Sequence, residues 1–202
     1  MLKWDYMRNA YALLGLAFLI VFGGAYLLFD KAYAPSLNDE RNMSLTLTSS
    51  AFKAGETIPS EYTCDAGNIN PPLTISGVPE GTQSLVLVMD DPDIPQAVKD
   101  ARGIEKFDHW AVYNLPADTT EIEAGAAFGS AGQNGRGEPT YTGPCPPPEY
   151  DPTEHRYIFR LYALPGSLNF IQTPTLDEIE EAAKGSAIES AELIGVYDRS
   201  NK

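Results

Sequence analysis

The chain has 202 residues, and its 28 Asp and Glu against 14 Lys and Arg give a formal net charge of −14 at pH 7. So acidic a chain is not expected to bind nucleic acids, because that binding needs cationic surfaces that neutralise phosphates. Hydrophobic residues make up 43% of the chain, which is enough to bury a core and excludes global disorder. Two cysteines are too few for a disulfide-rich scaffold or a four-cysteine zinc site, and two histidines leave few ligands for a catalytic metal centre.

The first distinctive segment is an apolar run over residues 10–29 without a charged side chain. At about 1.5 Å per residue its length matches a hydrocarbon layer of roughly 30 Å, so it is predicted to be a transmembrane helix. A cleaved signal peptide is one alternative, because residues 32–34 match the small-x-small cleavage pattern. A buried core helix is a weaker alternative, because no polar stripe interrupts the run.

The charges beside this segment predict its orientation. Lys3 and Arg8 precede the apolar run, and an excess of positive charge marks the cytoplasmic side. We therefore expect a single-pass protein of the cell membrane with an extracytoplasmic body. The predicted divisions are a cytoplasmic N-terminus over 1–9, the anchor over 10–29, a tether over 30–42 and a folded domain over 43–202.

Four segments of the body have the pattern of β-strands. Residues 44–49 alternate apolar and hydroxyl side chains, and residues 84–89 form a dense, partly β-branched run. Segments 110–115 and 157–164 are similar and are bounded by turn-forming residues. With 17 glycines and 16 prolines in the chain, these strands predict one β-sandwich-like domain with long connections.

Helical signals occur near the C-terminus. Residues 175–184 have Thr175 at the N-cap and Glu178 at the capping-box position, and are predicted to be helical. A second short helix is expected over 187–193, followed by a last strand over 194–197.

Chemically versatile side chains lie at the ends of three predicted strands: Asp91, His109, His155 and Tyr157. If these strands are neighbours, the side chains converge at one edge of the sheet. A carboxylate beside an imidazole favours the imidazolium, which together with a tyrosine hydroxyl can donate to an oxyanion such as phosphate. Taken singly, each motif is also explained by a tight turn, a packed histidine or an exposed surface.

Taken in order, these motifs resemble the phosphatidylethanolamine-binding protein family, in particular its bacterial and archaeal Raf kinase inhibitor-like branch. The resemblance extends from about Ser44 to Tyr197 and is carried by residues 62–65 (YTCD), 70–73 (NPPL), 91–95 (DPDIP), 109–110 (HW), 141–147 (YTGPCPP) and 155–157 (HRY). It implies a mainly β fold, a β-sandwich with a few short helices and a small anion-binding cavity at one edge.

The resemblance also implies the binding residues. The polar pocket residues of the family match Asp91, His109, His155 and Tyr157 in this chain, and the apolar lining of the family's pocket matches Trp110, Pro144 and Pro146. Members of the family bind phospholipid headgroups or phosphorylated groups and often inhibit or scaffold other proteins. Members of the bacterial branch look like homodimers, so the resemblance also implies a homodimer.

The function expected from the sequence is therefore a membrane-tethered module that binds phosphate-like anions or phospholipid headgroups and modulates a protein partner. No catalysis, cofactor or nucleic-acid partner is expected. One alternative is a hydrolase that uses Asp91 and the histidines as acid and base. Another is a divalent-metal site formed by Asp91, Asp93, His109 and His155.

Cys64 and Cys145 belong to segments that should border this pocket. Outside the cytoplasm we expect them to form a disulfide if their Cα atoms come within about 7 Å. Two separate buried thiols are the alternative if the body faces the cytoplasm. A nucleophilic Cys145 with a histidine as base is a further alternative.

Overall fold

The computed structural model describes residues 44–126 and 128–200. In this part of the chain the elements are, in order, β1 (Thr46–Thr48), β2 (Leu73–Ser76), β3 (Ser84–Asp91), α1 (Gln96–Arg102), β4 (Phe107–Pro116), β5 (Glu121–Ile122), β6 (Ser130–Ala131), β7 (Glu154–Leu164), α2 (Leu176–Lys184) and β8 (Glu189–Asp198). Strands β1, β2 and β5 form a three-stranded sheet, and the second sheet has the order β6-β4-β3-β7-β8. Neighbouring strands in both sheets are antiparallel.

The two sheets pack face to face around a shared apolar core. The small sheet contributes Leu47 and Ile75, while the large sheet contributes Leu87 and Phe159, all at most 4% exposed. Alternate residues of a strand point to opposite faces, so each strand presents one set of side chains to this core. The mainly β sandwich with a few short helices that the sequence predicted is confirmed.

The other face of the large sheet is covered by α2. Val86 and Val88 of β3 pack there against Leu176 and Ile179 of the helix. All eight residues of β3 are therefore buried, which explains why this segment is a dense apolar run instead of an alternating one.

Of the two helices predicted near the C-terminus, the first is present and the second is replaced by a strand. At α2 the capping box is present: the Glu178 amide donates to Thr175 Oγ1 at 3.2 Å, and the Thr175 amide donates to Glu178 Oε2 at 2.8 Å. The helix expected over 187–193 is wrong, because Glu189 to Leu193 belong to β8. This strand pairs with β7 from Glu189 to Asp198, and a continuous ladder of that length outweighs local helix propensity.

The prediction of a single-pass membrane protein is contradicted. Over residues 44–126 and 128–200, no helix combines the length and the apolar character that a bilayer crossing requires. The segments assigned to the cytoplasmic N-terminus, the anchor and the tether (residues 1–9, 10–29 and 30–42) lie outside the described residues. Because the described residues contain no membrane-spanning helix, the membrane localisation with an extracytoplasmic body is withdrawn. The domain boundary at residue 43 stays a prediction.

Candidate functional site

The antiparallel order of the large sheet brings the candidate residues to one edge. The end of β3 lies between the starts of β4 and β7, since Asp91 pairs with Phe107 and Asp90 with Ile158. A cavity of about 340 Å³ opens at this edge. Four of the side chains identified from the sequence line it and are at most 4% exposed: Asp91, His109, His155 and Tyr157.

A β-bulge determines which residue of β4 reaches the cavity. Met89 pairs with Trp110 and Asp90 with Asp108, so His109 is an extra residue between two ladder pairs. A bulge breaks the alternation of the strand and redirects a side chain. His109 lines the cavity, whereas Trp110 packs in the core between the sheets with its ring 5.6 Å from that of Tyr141. The lining role predicted for Trp110 is therefore corrected.

His109 is held as a neutral ring. Its Nδ1 lies 2.6 Å from the carbonyl oxygen of Thr142, and a carbonyl can only accept, so Nδ1 carries the hydrogen. Burial lowers the pKa of His109 from 6.5 to about 4, although the Thr142 carbonyl and the charge of Asp91 oppose this effect. At neutral pH Nε2 therefore carries a lone pair, and it hydrogen-bonds to no residue in the described part of the chain.

His155 is in the opposite state. Its Nδ1 lies 2.7 Å from Oδ2 of Asp91 and its Nε2 lies 3.1 Å from the carbonyl oxygen of Pro152. Both partners are acceptors, so both ring nitrogens donate and the ring is an imidazolium. Burial alone would lower the pKa of His155, but the hydrogen bond and charge of Asp91 outweigh burial, and the pKa is raised. The cavity thus contains one neutral and one charged histidine.

Tyr157 adds a hydrogen-bond donor. Its hydroxyl is buried and makes no hydrogen bond to any residue of 44–126 or 128–200. Burial and the charge of Asp91 raise the pKa of this phenol, so it stays protonated; the Cys145 backbone opposes the rise without completing a hydrogen bond. An unsatisfied buried hydroxyl costs about 1–3 kcal/mol. Tyr157 therefore has an unused donor at the cavity wall.

Two arginines that the sequence analysis did not identify lie at the cavity mouth. Arg102, at the end of α1, lies 5.7 Å above the ring of Phe107 and donates to the carbonyl of Gly135 at 3.2 Å. Arg136 follows in the same loop, which the buried Asn134 organises by accepting the backbone N–H of Arg136 at 2.9 Å. The side chain of Arg136 is exposed and forms no ion pair within the described residues.

The cavity is positively charged in an acidic protein. Its lining contains Arg102, Arg136 and the imidazolium of His155 against one carboxylate, that of Asp91. Three positive groups against one negative group leave +2, whereas the chain as a whole carries −14. This contrast favours an anionic occupant.

The proline-rich segment forms an apolar wall. Pro146 and Pro147 line the cavity, and so do the apolar side chains of Ile94 and Val98. Pro144, in contrast, is buried outside the lining, and its carbonyl accepts the Cys64 amide at 3.1 Å. The lining role predicted for Pro144 is therefore also corrected.

A disulfide fixes this wall to the segment before β2. The Sγ atoms of Cys64 and Cys145 are 2.09 Å apart and the Cα atoms 5.4 Å apart. Next to it, the N–H of Gly143 donates to Oδ1 of Asn68 at 2.9 Å, and a Cβ at Gly143 would lie 2.6 Å from the Tyr62 carbonyl. Because the Cys145 sulfur is in the disulfide, it is not available as a nucleophile here.

The residues of the metal alternative are not assembled into a metal site. Among the described residues, no group of three or more His, Cys, Asp or Glu is placed to hold an ion. Asp93 is instead bound by Arg156, with Nε and Nη2 of the guanidinium 2.8 and 2.7 Å from its carboxylate oxygens.

The sequence comparisons find relatives over most of the described domain. A family model described as phosphatidylethanolamine-binding protein matches residues 48–198. A UPF0098 protein of Chlamydia pneumoniae is 43% identical over 157 residues, which cover 77% of this chain and 100% of the relative. A UPF0098 protein of the archaeon Methanothermobacter thermautotrophicus is 40% identical over 162 residues, covering 77% of this chain and 99% of the relative.

Solved structures have the same fold. A putative phosphatidylethanolamine-binding protein homologue from Chlamydia trachomatis superposes with a TM-score of 0.70 at 38% identity, covering 78% of this chain and 99% of that one. E. coli YbcL, described as a member of the mammalian family, superposes with a TM-score of 0.68 at 28% identity, covering 77% of this chain and 99% of its own.

Proposed function

We propose that this chain, which belongs to the phosphatidylethanolamine-binding protein family, is a binding module whose cavity takes a phosphate-like anion. The observation that carries the proposal is the unused donor of Tyr157 beside the imidazolium of His155 in a buried, positively charged cavity. Phosphate oxygens accept hydrogen bonds from such groups, and charge-assisted bonds are about twice as strong as neutral ones.

The family description supports a phosphate-containing ligand, because phosphatidylethanolamine carries a phosphate in its headgroup. Both a free phosphorylated molecule and a phospholipid headgroup present this group. The apolar wall around Pro146 and Ile94 suits the organic part of either ligand. Modulation of a protein partner and a homodimer stay predictions.

The proposal includes no catalytic step. Cys145, the nucleophile of one alternative, is already in the disulfide. Asp91, the acid of the hydrolase alternative, is paired with His155 and with the backbone N–H of Asp93 at 2.8 Å. The proposal therefore rests on binding, with the thiol nucleophile removed by the disulfide.

Titration calorimetry with inorganic phosphate tests the proposal. Arg136→Glu changes a cavity residue, and Lys53→Glu changes the net charge by the same amount at a side chain that is 86% exposed and does not line the cavity. We expect Arg136→Glu to weaken phosphate binding about tenfold and Lys53→Glu less than about twofold, because Lys53 does not line the cavity and salt screens exposed charges. Absence of binding by the unmodified protein, or equal losses in the two variants, would contradict the proposal.

A further inference from the structure

The neutral ring of His109 places a hydrogen-bond acceptor among the donors of the cavity. Nδ1 donates to Thr142 at 2.6 Å, which leaves the lone pair of Nε2 without a partner in residues 44–126 and 128–200. A fully deprotonated phosphate also presents only lone pairs. The two would repel each other unless a proton lies between them.

We infer that the cavity selects phosphomonoesters and inorganic phosphate over phosphodiesters, because a single proton is shared between the bound phosphate and Nε2 of His109. This inference rests on the proposed function of anion binding. It distinguishes phosphomonoesters from phosphodiesters, both of which carry the phosphate group of the proposed function. Phosphatidylethanolamine, after which the family is named, is a phosphodiester.

The proton balance favours the monoester. A phosphomonoester has a second pKa near about 6, so it can bind as P–OH donating to Nε2, or as a dianion that accepts from a protonated ring. Both descriptions contain the same proton and the same total charge. A phosphodiester has no second ionisable oxygen, so it has no P–OH to donate to Nε2, and its single negative charge draws a proton to the ring less strongly than a dianion does.

The titratable groups around His109 are already bonded or act only as donors, so His109 is the ring that can share a proton with the phosphate. Asp91 on β3 favours its protonation, while Arg136 in the mouth loop and His155 on β7 oppose it. Asp91 and His155 are already bonded to each other at 2.7 Å. Tyr157, whose ring centroid lies 5.1 Å from that of His109, remains protonated and acts only as a donor. A bound phosphate dianion would therefore draw the proton to His109.

Calorimetry with methyl phosphate and dimethyl phosphate tests the inference directly. We expect methyl phosphate to bind at least about tenfold more tightly near pH 6, which corresponds to one hydrogen bond to a charged group. Repeating the titration in buffers of different protonation enthalpy measures proton uptake. About one proton per methyl phosphate should be taken up near pH 8 and almost none near pH 5, where the free ligand already carries it.

Two variants separate the roles of the histidines. In His109→Gln the amide can still donate to Thr142, but the side chain does not titrate, so the preference for methyl phosphate should fall to within about threefold and proton uptake should disappear. His155→Gln is the matched control: it should weaken both esters together and keep the proton uptake. If His109→Gln fails to fold, the ester comparison and proton uptake of the unmodified protein decide the question.

The source of the monoester is distinguished by a further arm with vesicles of phosphatidylcholine, with and without phosphatidic acid. Binding to phosphatidic acid identifies a lipid monoester, and binding to methyl phosphate alone identifies a free one; either result supports the inference. Equal affinity for methyl and dimethyl phosphate without proton uptake would overturn it and leave the proposed function intact. Binding of neither ester would overturn the proposed function itself.

Discussion

Replacing His109 with Gln should remove a pH-dependent part of the protein's stability. The pKa of this ring is about 4 in the folded protein and about 6.5 when the chain is unfolded, mainly because burial disfavours the charged form. Between these values the unfolded chain binds a proton that the folded protein does not. The stability from the neutral ring is therefore complete above about pH 6.5 and is lost as the pH falls towards 4.

The size of the effect follows from the two pKa values. Each pH unit between them corresponds to about 1.4 kcal/mol. From about pH 7 to about pH 4.5, the free energy of unfolding of the unmodified protein should therefore decrease by about 2–3 kcal/mol more than that of His109→Gln. Carboxylates also titrate in this range, but they are the same in both proteins and cancel in the comparison.

Urea unfolding followed by tryptophan fluorescence at these two pH values measures the difference. The Gln amide can donate to the Thr142 carbonyl, so the variant keeps the contact that orients residue 109. If both proteins lose the same stability to within about 0.5 kcal/mol, the expected additivity error, His109 is not a buried neutral ring and the reasoning fails.

Three other changes have expected outcomes. Asp91→Asn removes the carboxylate that holds His155 charged, so the ring pKa measured by NMR titration should fall; an unchanged pKa would show that the 2.7 Å contact does not control the ring. Cys64→Ser opens a disulfide that spans 81 residues and should lower the free energy of unfolding by about 2–5 kcal/mol in urea, whereas no loss would argue against a disulfide in solution. Gly195→Ala would place a Cβ 2.5 Å from Cγ1 of Ile58 and should cost about 1–3 kcal/mol by thermal unfolding; full stability would mean that the core relaxes freely at this point.

Local patterns in the sequence predict the elements that are strongly apolar or capped. The dense run at 84–89 predicts β3 because this strand is buried on both faces. Thr175 and Glu178 predict the start of α2 because the capping box is a local contact. In contrast, α1 has no buried residue, so no apolar stripe indicates it.

Other features depend on contacts between distant segments. The direction of His109 follows from a bulge in the pairing of β4 with β3, and residue alternation within β4 alone does not reveal it. Arg136 reaches the cavity because the backbone N–H groups of Arg136 and Glu138 both donate to Oδ1 of Asn134, which fixes the loop. A loop held in this way has no periodic signal in the sequence. The motif order therefore identifies the floor of the cavity, whereas its charged mouth requires the structure.

The most direct test of the account is NMR of protein labelled with ¹⁵N in its histidine rings, of which the chain has two. Near neutral pH we expect both nitrogens of His155 to be protonated and only Nδ1 of His109. On addition of inorganic phosphate, the Nε2 signal of His109 should move towards its protonated value. Two histidines in the same state, or ring signals that do not respond to phosphate, would contradict the anion site.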